Sequence, residues 1–160
     1  MDDGPSAEEM ENYLKIRALS NPLRIWLKNL GARNASNVNV KITIPKQDGV
    51  VLYDAWSFPK RPRSRLLSAL SIPTTINVDS DVRESASAWT MQVNAKTIQP
   101  QDEFWSSDDI YVATASNQTI ETVASIFADD LAKPIEVPLK IHLKVVERHI
   151  TPEDFEVDED

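Results

Sequence analysis

The chain has 160 residues, of which 41% are hydrophobic and 26% charged, a balance typical of one globular domain with a sizeable core. It contains no cysteine, which excludes disulfides and thiolate chemistry, and no apolar run approaches the roughly 20 residues needed to cross a bilayer. The formal charge of −8 is concentrated at the ends, because residues 1–11 hold five acids and no base and residues 153–160 hold six acids.

This charge distribution predicts three regions along the chain. We expect an acidic, flexible N-terminus over residues 1–11, a β-sandwich domain over residues 12–150 and an acidic C-terminal tail over residues 151–160. The absence of cysteine and of a basic-then-apolar leader favours a cytoplasmic location without membrane association.

The N-terminal segment carries a helix signal followed by strand and turn signals. Ser6 and Glu9 have the spacing of a capping box and predict a short N-terminal helix. We place the first strand at Tyr13–Leu19, and Ser20-Asn21-Pro22 predicts a turn after it.

Two alternating apolar runs, Leu23–Asn29 and Val38–Ile44, flank a segment rich in Asn, Ser and Gly. Alternation with period two predicts a strand, a loop and a second strand. Gly31 is expected to supply a positive φ angle in the loop. Further along, Gln47-Asp48-Gly49 is a hairpin turn signal.

The rest of the chain predicts more short strands. They are placed at Val50–Phe58, Thr74–Val78, Ser87–Val93, Ile110–Ala115 and Leu139–Val146. A long connection covers residues 59–73, with a short helix at Arg65–Leu70. Residues 118–131 fit both a helical stripe and strand alternation, and their β-branched side chains favour a strand.

About eight to nine short strands separated by turns indicate an all-β, two-sheet, immunoglobulin-like antiparallel sandwich with a short N-terminal helix. Within residues 21–45, Asn29-Leu30-Gly31, Ala35 and Asn37-Val-Asn-Val-Lys-Ile42 form the pattern N-x-G…A…nV.V.i. This pattern resembles the strand–turn–strand signature of bacterial immunoglobulin-like domains of the CARDB/NEW3-like type. The resemblance implies an adhesion-type, carbohydrate-associated or accessory module. Typical domains of that type are shorter, so residues 46–73 would be an insertion or additional strands.

The residues that could carry chemistry are few. His142 and His149 are the only imidazoles, and His142 alternates with lysines on an expected solvent face. The three glycines form no phosphate-binding loop, and no nucleophile-elbow sequence is present. Acidic residues such as Asp79 and Asp81 could hold calcium, but caps of turns are the commoner use. We therefore predict no catalytic residue, no metal, no cofactor and no enzymatic activity.

Two surfaces are the candidate binding sites. The first is the segment Trp56–Arg65, whose members of interest are Trp56, Phe58, Lys60, Arg61, Arg63 and Arg65. Clustered cations beside aromatic rings suit a phosphate backbone or an acidic protein surface. The plainer interpretation is a solvated loop in which Trp56 and Phe58 pack inward. The second is the corner Phe104-Trp105, because a tryptophan is costly to expose and therefore either fills the end of the sandwich or marks an interface.

These residues favour an interaction or accessory domain that binds a protein partner within a larger protein or assembly. The alternatives are a carbohydrate- or surface-associated module, with Trp56 or Trp105 flat on an exposed face, and a nucleic-acid-associated domain that uses the basic segment 60–65. The sequence does not specify an oligomeric state.

Overall fold

The computed structural model describes residues 5–60, 62, 80–107, 110–147 and 149. In these residues one helix, α1 (Ala7–Leu19), precedes ten strands. The strands are β1 (Ser20–Pro22), β2 (Trp26–Lys28), β3 (Ala35–Pro45), β4 (Val50–Asp54), β5 (Ser80–Glu84), β6 (Ala88–Ile98), β7 (Glu103–Trp105), β8 (Ile110–Thr114), β9 (Gln118–Phe127) and β10 (Ile135–Leu143). An all-β chain with one short N-terminal helix is therefore confirmed.

The helix begins with the predicted capping box. The Ser6 hydroxyl accepts from the Glu9 amide at 3.2 Å, and the Ser6 amide donates to the Glu9 carboxylate at 2.8 Å. One turn further along the helix, Glu11 and Lys15 form an ion pair of 2.6 Å. The hydrogen bond from Lys15 lowers the pKa of Glu11 below its ordinary value. The predicted strand at Tyr13–Leu19 is wrong, because these residues belong to the capped helix. The helix also crosses residue 11, where the acidic N-terminal region was predicted to end.

The strands form three antiparallel sheets. The five-stranded sheet has the order β10-β9-β3-β6-β5, the three-stranded sheet β1-β8-β4, and β2 and β7 form a separate two-stranded ribbon. Ser20–Pro22, predicted as a turn, is instead the edge strand β1, which pairs with Tyr111–Ala113. Proline is tolerated there because an edge strand has one side without a hydrogen-bond partner.

The main core lies between the five-stranded and three-stranded sheets, since both contribute to one buried cluster. Its members are Val40, Ile42, Ile44, Val50, Leu52, Met91, Val93, Ile110, Val112, Ile120, Ala124 and Leu143. A smaller cluster of Val38, Ala95 and Ile98 lies beside Leu27 and Phe104 of the ribbon.

Most strand predictions are confirmed in position, with changed ends. The strands β3, β6 and β8 match the predicted Val38–Ile44, Ser87–Val93 and Ile110–Ala115, and β10 starts earlier than the predicted Leu139–Val146. The ambiguous stretch 118–131 contains β9, as its β-branched residues favoured. The predicted helix at Arg65–Leu70 and strand at Thr74–Val78 lie outside the described residues.

The turn at Gln47–Gly49 exists but does not form a hairpin. It connects β3 of the five-stranded sheet to β4 of the three-stranded sheet. Gly49 adopts φ of +74°, whereas Gly31 is not in the left-handed region, so the expectation for Gly31 is wrong. Asn37 (φ 49°) and Gln101 (φ 64°) also have positive φ angles.

Replacing Gly49 with alanine should lower the free energy of unfolding by about 1 kcal/mol, because a side chain disfavours positive φ. Space is not limiting, since an added Cβ would lie 3.4 Å from the Ala115 Cβ. Urea unfolding measures the effect, with Asp48→Ala in the same turn as the control. Equal stability of the two variants would show that the backbone angle has no cost here.

Candidate functional site

The first predicted surface, Trp56–Arg65, begins in a turn just after β4. The predicted strand Val50–Phe58 stops at Asp54, and a turn follows. Phe58 is half-buried, with ring centroids 4.2 Å from Tyr111 and 5.8 Å from Tyr53, whereas Trp56 is 57% exposed. The expectation that Trp56 points inward is therefore wrong. Lys60 is exposed, and Arg61, Arg63 and Arg65 lie outside the described residues.

The buried carboxylate of Asp54 fixes this turn. Its Oδ1 accepts from the Ser57 amide at 2.7 Å, the Ser57 hydroxyl at 2.8 Å and the Trp56 amide at 3.1 Å. The Val82 amide donates to Oδ2 at 3.4 Å. Burial alone would raise the pKa of Asp54, but these hydrogen bonds together lower it below the ordinary value. The carboxylate thus fixes the backbone of the turn from which the exposed Trp56 and the half-buried Phe58 extend.

The second predicted surface, Phe104-Trp105, belongs to the ribbon of β2 and β7. Successive residues of a strand point to opposite faces. Phe104 is half-buried and packs on both core clusters together with Leu27, its cross-strand partner. Trp105 is 57% exposed and pairs with Trp26, which is 49% exposed.

The two tryptophans form the tryptophan pair, Trp26 and Trp105, on the outer face of the ribbon. Their ring centroids are 6.3 Å apart and the ring planes are inclined by 44°. Sequence reasoning did not select Trp26. The alternation of Leu23, Ile25 and Leu27 towards the core would have placed it outside, next to whichever strand pairs with β2.

Hydrogen bonds beyond the short strands hold the ribbon together. The Ile25 amide donates to the Ser106 hydroxyl at 2.8 Å, and the Ser106 amide donates to the Ile25 carbonyl at 2.9 Å. Lys28 and Glu103 form an ion pair of 3.5 Å next to the tryptophans. These contacts hold the backbone on both sides of the tryptophan pair in place.

Asn29 anchors the loop that follows β2. Its side-chain amide donates to the Arg33 carbonyl at 2.7 Å and to the Ile98 carbonyl at 2.9 Å. Its side-chain oxygen accepts from the Gly31 amide at 2.9 Å. In the N-x-G part of the sequence pattern, the Asn29 side chain therefore acts as a clamp that ties the loop to itself and to β6.

An aliphatic cavity of about 430 Å³ opens beside this clamp. It lies between the ribbon, the start of β3 and the connection from β9 to β10. Its lining residues are Leu27, Lys28, Asn29, Leu30, Gly31, Ala35, Val38, Ile98, Ile126, Ala128, Asp130, Leu131 and Ile135. None of them is aromatic, and the charged ones are Lys28 and Asp130. Volumes of this size are typical of ligand sites.

The described part of the chain includes an exposed histidine on β10 and no cluster of metal-ligating side chains. His142 is exposed, as predicted, and its Nδ1 lies 3.1 Å from the Thr119 hydroxyl. No group of three or more His, Asp or Glu side chains in the described part of the chain could hold a metal ion. The one helix of that part is too short and too polar to span a bilayer.

Comparisons with protein-family models, with curated proteins and with solved structures find no match for this chain.

Proposed function

We propose that this chain is a non-enzymatic, immunoglobulin-like β-sandwich interaction domain that binds a protein partner through the tryptophan pair. The observation that carries the proposal is the exposure of two adjacent tryptophans, Trp26 at 49% and Trp105 at 57%. The fold supports it in a general way, because Leu27 and Phe104 anchor the ribbon on the buried cluster to which both larger sheets contribute. The full chain would act as an accessory part of a larger protein or assembly.

The physical argument rests on what exposed tryptophans cost and provide. Each indole offers a large apolar area and one N–H donor. An indole that stays in water does not gain the favourable free energy of burying that area. Tryptophan is also the residue type most enriched among those that dominate protein–protein binding energy. The Lys28–Glu103 ion pair beside the rings supplies the polar rim that usually surrounds such a centre.

The inclination of the rings favours a protein over a sugar as the partner. A single flat sugar face could stack on both rings only if they lay near one plane, but here the planes are inclined by 44°. Carbohydrate binding on one ring is the second candidate function, because Trp56 and Trp105 are both 57% exposed. A nucleic-acid role is the remaining alternative and would use Trp56 with Lys60 and the arginines that follow.

The test is a quantitative affinity capture with the full chain, in which the captured proteins are identified and titrated as purified partners. Trp105→Ser should weaken the interaction about thirtyfold, as expected for truncation of a central tryptophan. Trp56→Ser is the matched control and should leave the affinity unchanged. Circular dichroism checks that both variants are folded.

Several outcomes would contradict the proposal. Equal partner affinity of the wild type and Trp105→Ser would remove the tryptophan pair from the interface. Binding to a glycan array that is lost in Trp56→Ser would favour the carbohydrate function. Binding to DNA or RNA that is lost on charge reversal of Lys60, Arg61, Arg63 and Arg65 would favour the nucleic-acid function.

A further inference from the structure

We infer that the tryptophan pair recognises a proline-rich segment of the partner in the polyproline II conformation. The inference rests on the proposed function, since it names the class of protein segment that this same surface binds. Three features of the outer face of the ribbon support it: two indole N–H groups without a partner, a neighbouring ion pair that is already balanced, and the short span of the two rings.

The indole N–H groups set the first requirement for a ligand. Neither Trp26 nor Trp105 donates a side-chain hydrogen bond to any residue that the structure describes, and both rings are exposed. A ligand that covers the rings removes water from these donors, so it has to bring acceptors of its own. Polyproline II offers such acceptors, because its backbone carbonyls make no internal hydrogen bonds.

The neighbouring charges set the second requirement. The two strands place two cross-strand pairs on the outer face of the ribbon, the tryptophan pair and Lys28 with Glu103. Lys28 and Glu103 lie 3.5 Å apart and balance each other. A cationic side chain, the common alternative on an indole face, would therefore find no unpaired carboxylate on these two strands. We expect an uncharged group to pack on the rings, as a proline ring does.

The other common forms of a bound peptide fit these requirements less well. A helix uses its carbonyls internally and would leave the indole N–H groups without acceptors. A strand that extends a sheet needs a row of free backbone groups, whereas β2 and β7 are three residues long each. An extended segment of other residues carries N–H groups that need acceptors, and proline lacks this group.

The span of the two rings sets the length of the segment. Their centroids are 6.3 Å apart. A polyproline II helix advances about 9 Å in one turn of three residues, so one turn reaches across both rings. A site made of two large side chains gains most from a ligand that is already ordered, and polyproline II loses little conformational entropy on binding.

The test follows the indole N–H resonances of the four tryptophans in the ¹⁵N-labelled full chain. The probes are three capped, uncharged peptides of equal length: one repeats proline–proline–alanine, the second has serine in place of each proline, and the third has leucine in place of every other serine. We expect only the proline peptide to shift the indole resonances of Trp26 and Trp105, with a Kd below about 1 mM. Trp56 is equally exposed and should not respond.

Two substitutions at one position separate the ring from its N–H donor. Trp105→Ser should weaken binding of the proline peptide about tenfold, because it removes half of the aromatic surface. Trp105→Phe keeps an aromatic ring without the N–H group and should weaken binding about threefold. Trp56→Ser is the matched control and should bind as the wild type does. The dispersion of the amide resonances checks that each variant is folded.

The inference is overturned by any of four results. These are absence of binding by the proline peptide, equal binding of the serine or leucine peptide, shifts that are largest at Trp56, and insensitivity to Trp105→Ser. Self-association of the chain that Trp105→Ser abolishes would assign the pair to a second copy instead. If the proline peptide fails while the capture experiment still yields a partner that depends on Trp105, the inference is wrong and the proposed function stands. If neither the peptide nor any captured protein depends on Trp105, both are wrong.

Discussion

Replacing Ile42 with alanine should lower the free energy of unfolding by about 3 to 4 kcal/mol. Ile42 is 2% exposed and lies on β3, the central strand of the five-stranded sheet. It faces Met91 on one neighbouring strand and Ala124 on the other. Because buried side chains surround the position on both sides, the remaining atoms cannot collapse into the space that is left.

Chemical unfolding of the wild type and of Ile42→Ala at neutral pH measures this loss of unfolding free energy. Lys41→Ala is the matched control, since Lys41 is the next residue of the same strand and points to solvent. It should change the free energy of unfolding by no more than about 0.5 kcal/mol. A loss below about 1 kcal/mol for Ile42→Ala would contradict the core described here, because it would mean that the site relaxes freely.

Replacing Asp54 with alanine should lower the free energy of unfolding by about 2 to 3 kcal/mol at neutral pH. The buried carboxylate accepts from two amides and one hydroxyl within 3.1 Å. Removing it leaves these donors without their charged acceptor and releases the turn that holds Phe58 against Tyr111. Asp48→Ala, which removes an exposed acid, is the control.

The same substitution should change how stability depends on pH. The pKa of Asp54 in the folded chain is lower than its ordinary value of 3.8, so the folded state favours the charged form. Its contribution is fully present above that ordinary value and is lost as the pH falls through the lower folded pKa. The difference in stability between the wild type and Asp54→Ala should therefore shrink in acid.

Unfolding curves at several pH values test this direction. Asp54→Asn keeps an acceptor oxygen without a charge, so it should lose about 1 kcal/mol and show no titration at this position. A difference between the wild type and Asp54→Ala that grows in acid would show that the carboxylate is destabilising in the folded chain.

Much of the strand pattern could be predicted because it is local. Val38, Val40, Ile42 and Ile44 alternate without interruption, and they form the buried face of β3. The short strands β5 and β7 have no such signal, since β5 contains a single apolar residue, Val82, and β7 is only three residues long. They become strands because β6 and β2 supply backbone partners, and partners distant in sequence leave no mark on the local pattern.

The candidate binding surfaces were only partly predictable for the same reason. A local argument selected the aromatic corner at Trp105 without deciding its exposure, and its neighbour Trp26 is 79 positions away in a strand that had to be paired first. The cavity is assembled from β2, β3, β6 and the connection from β9 to β10. No single segment contains enough of the lining residues to predict the cavity.

The edge strand β10 bears on how the chain avoids uncontrolled aggregation. It spans nine residues, a length that could pair with another strand, and on one side it has no strand partner among the residues that the structure describes. Pro138 at its centre has no amide hydrogen to donate, and Glu136 and Lys140 on either side carry charge to the outer face. Pairing of a further strand at this edge of the sheet is therefore disfavoured. We expect contacts with other molecules to be made by side chains rather than by the backbone of this edge.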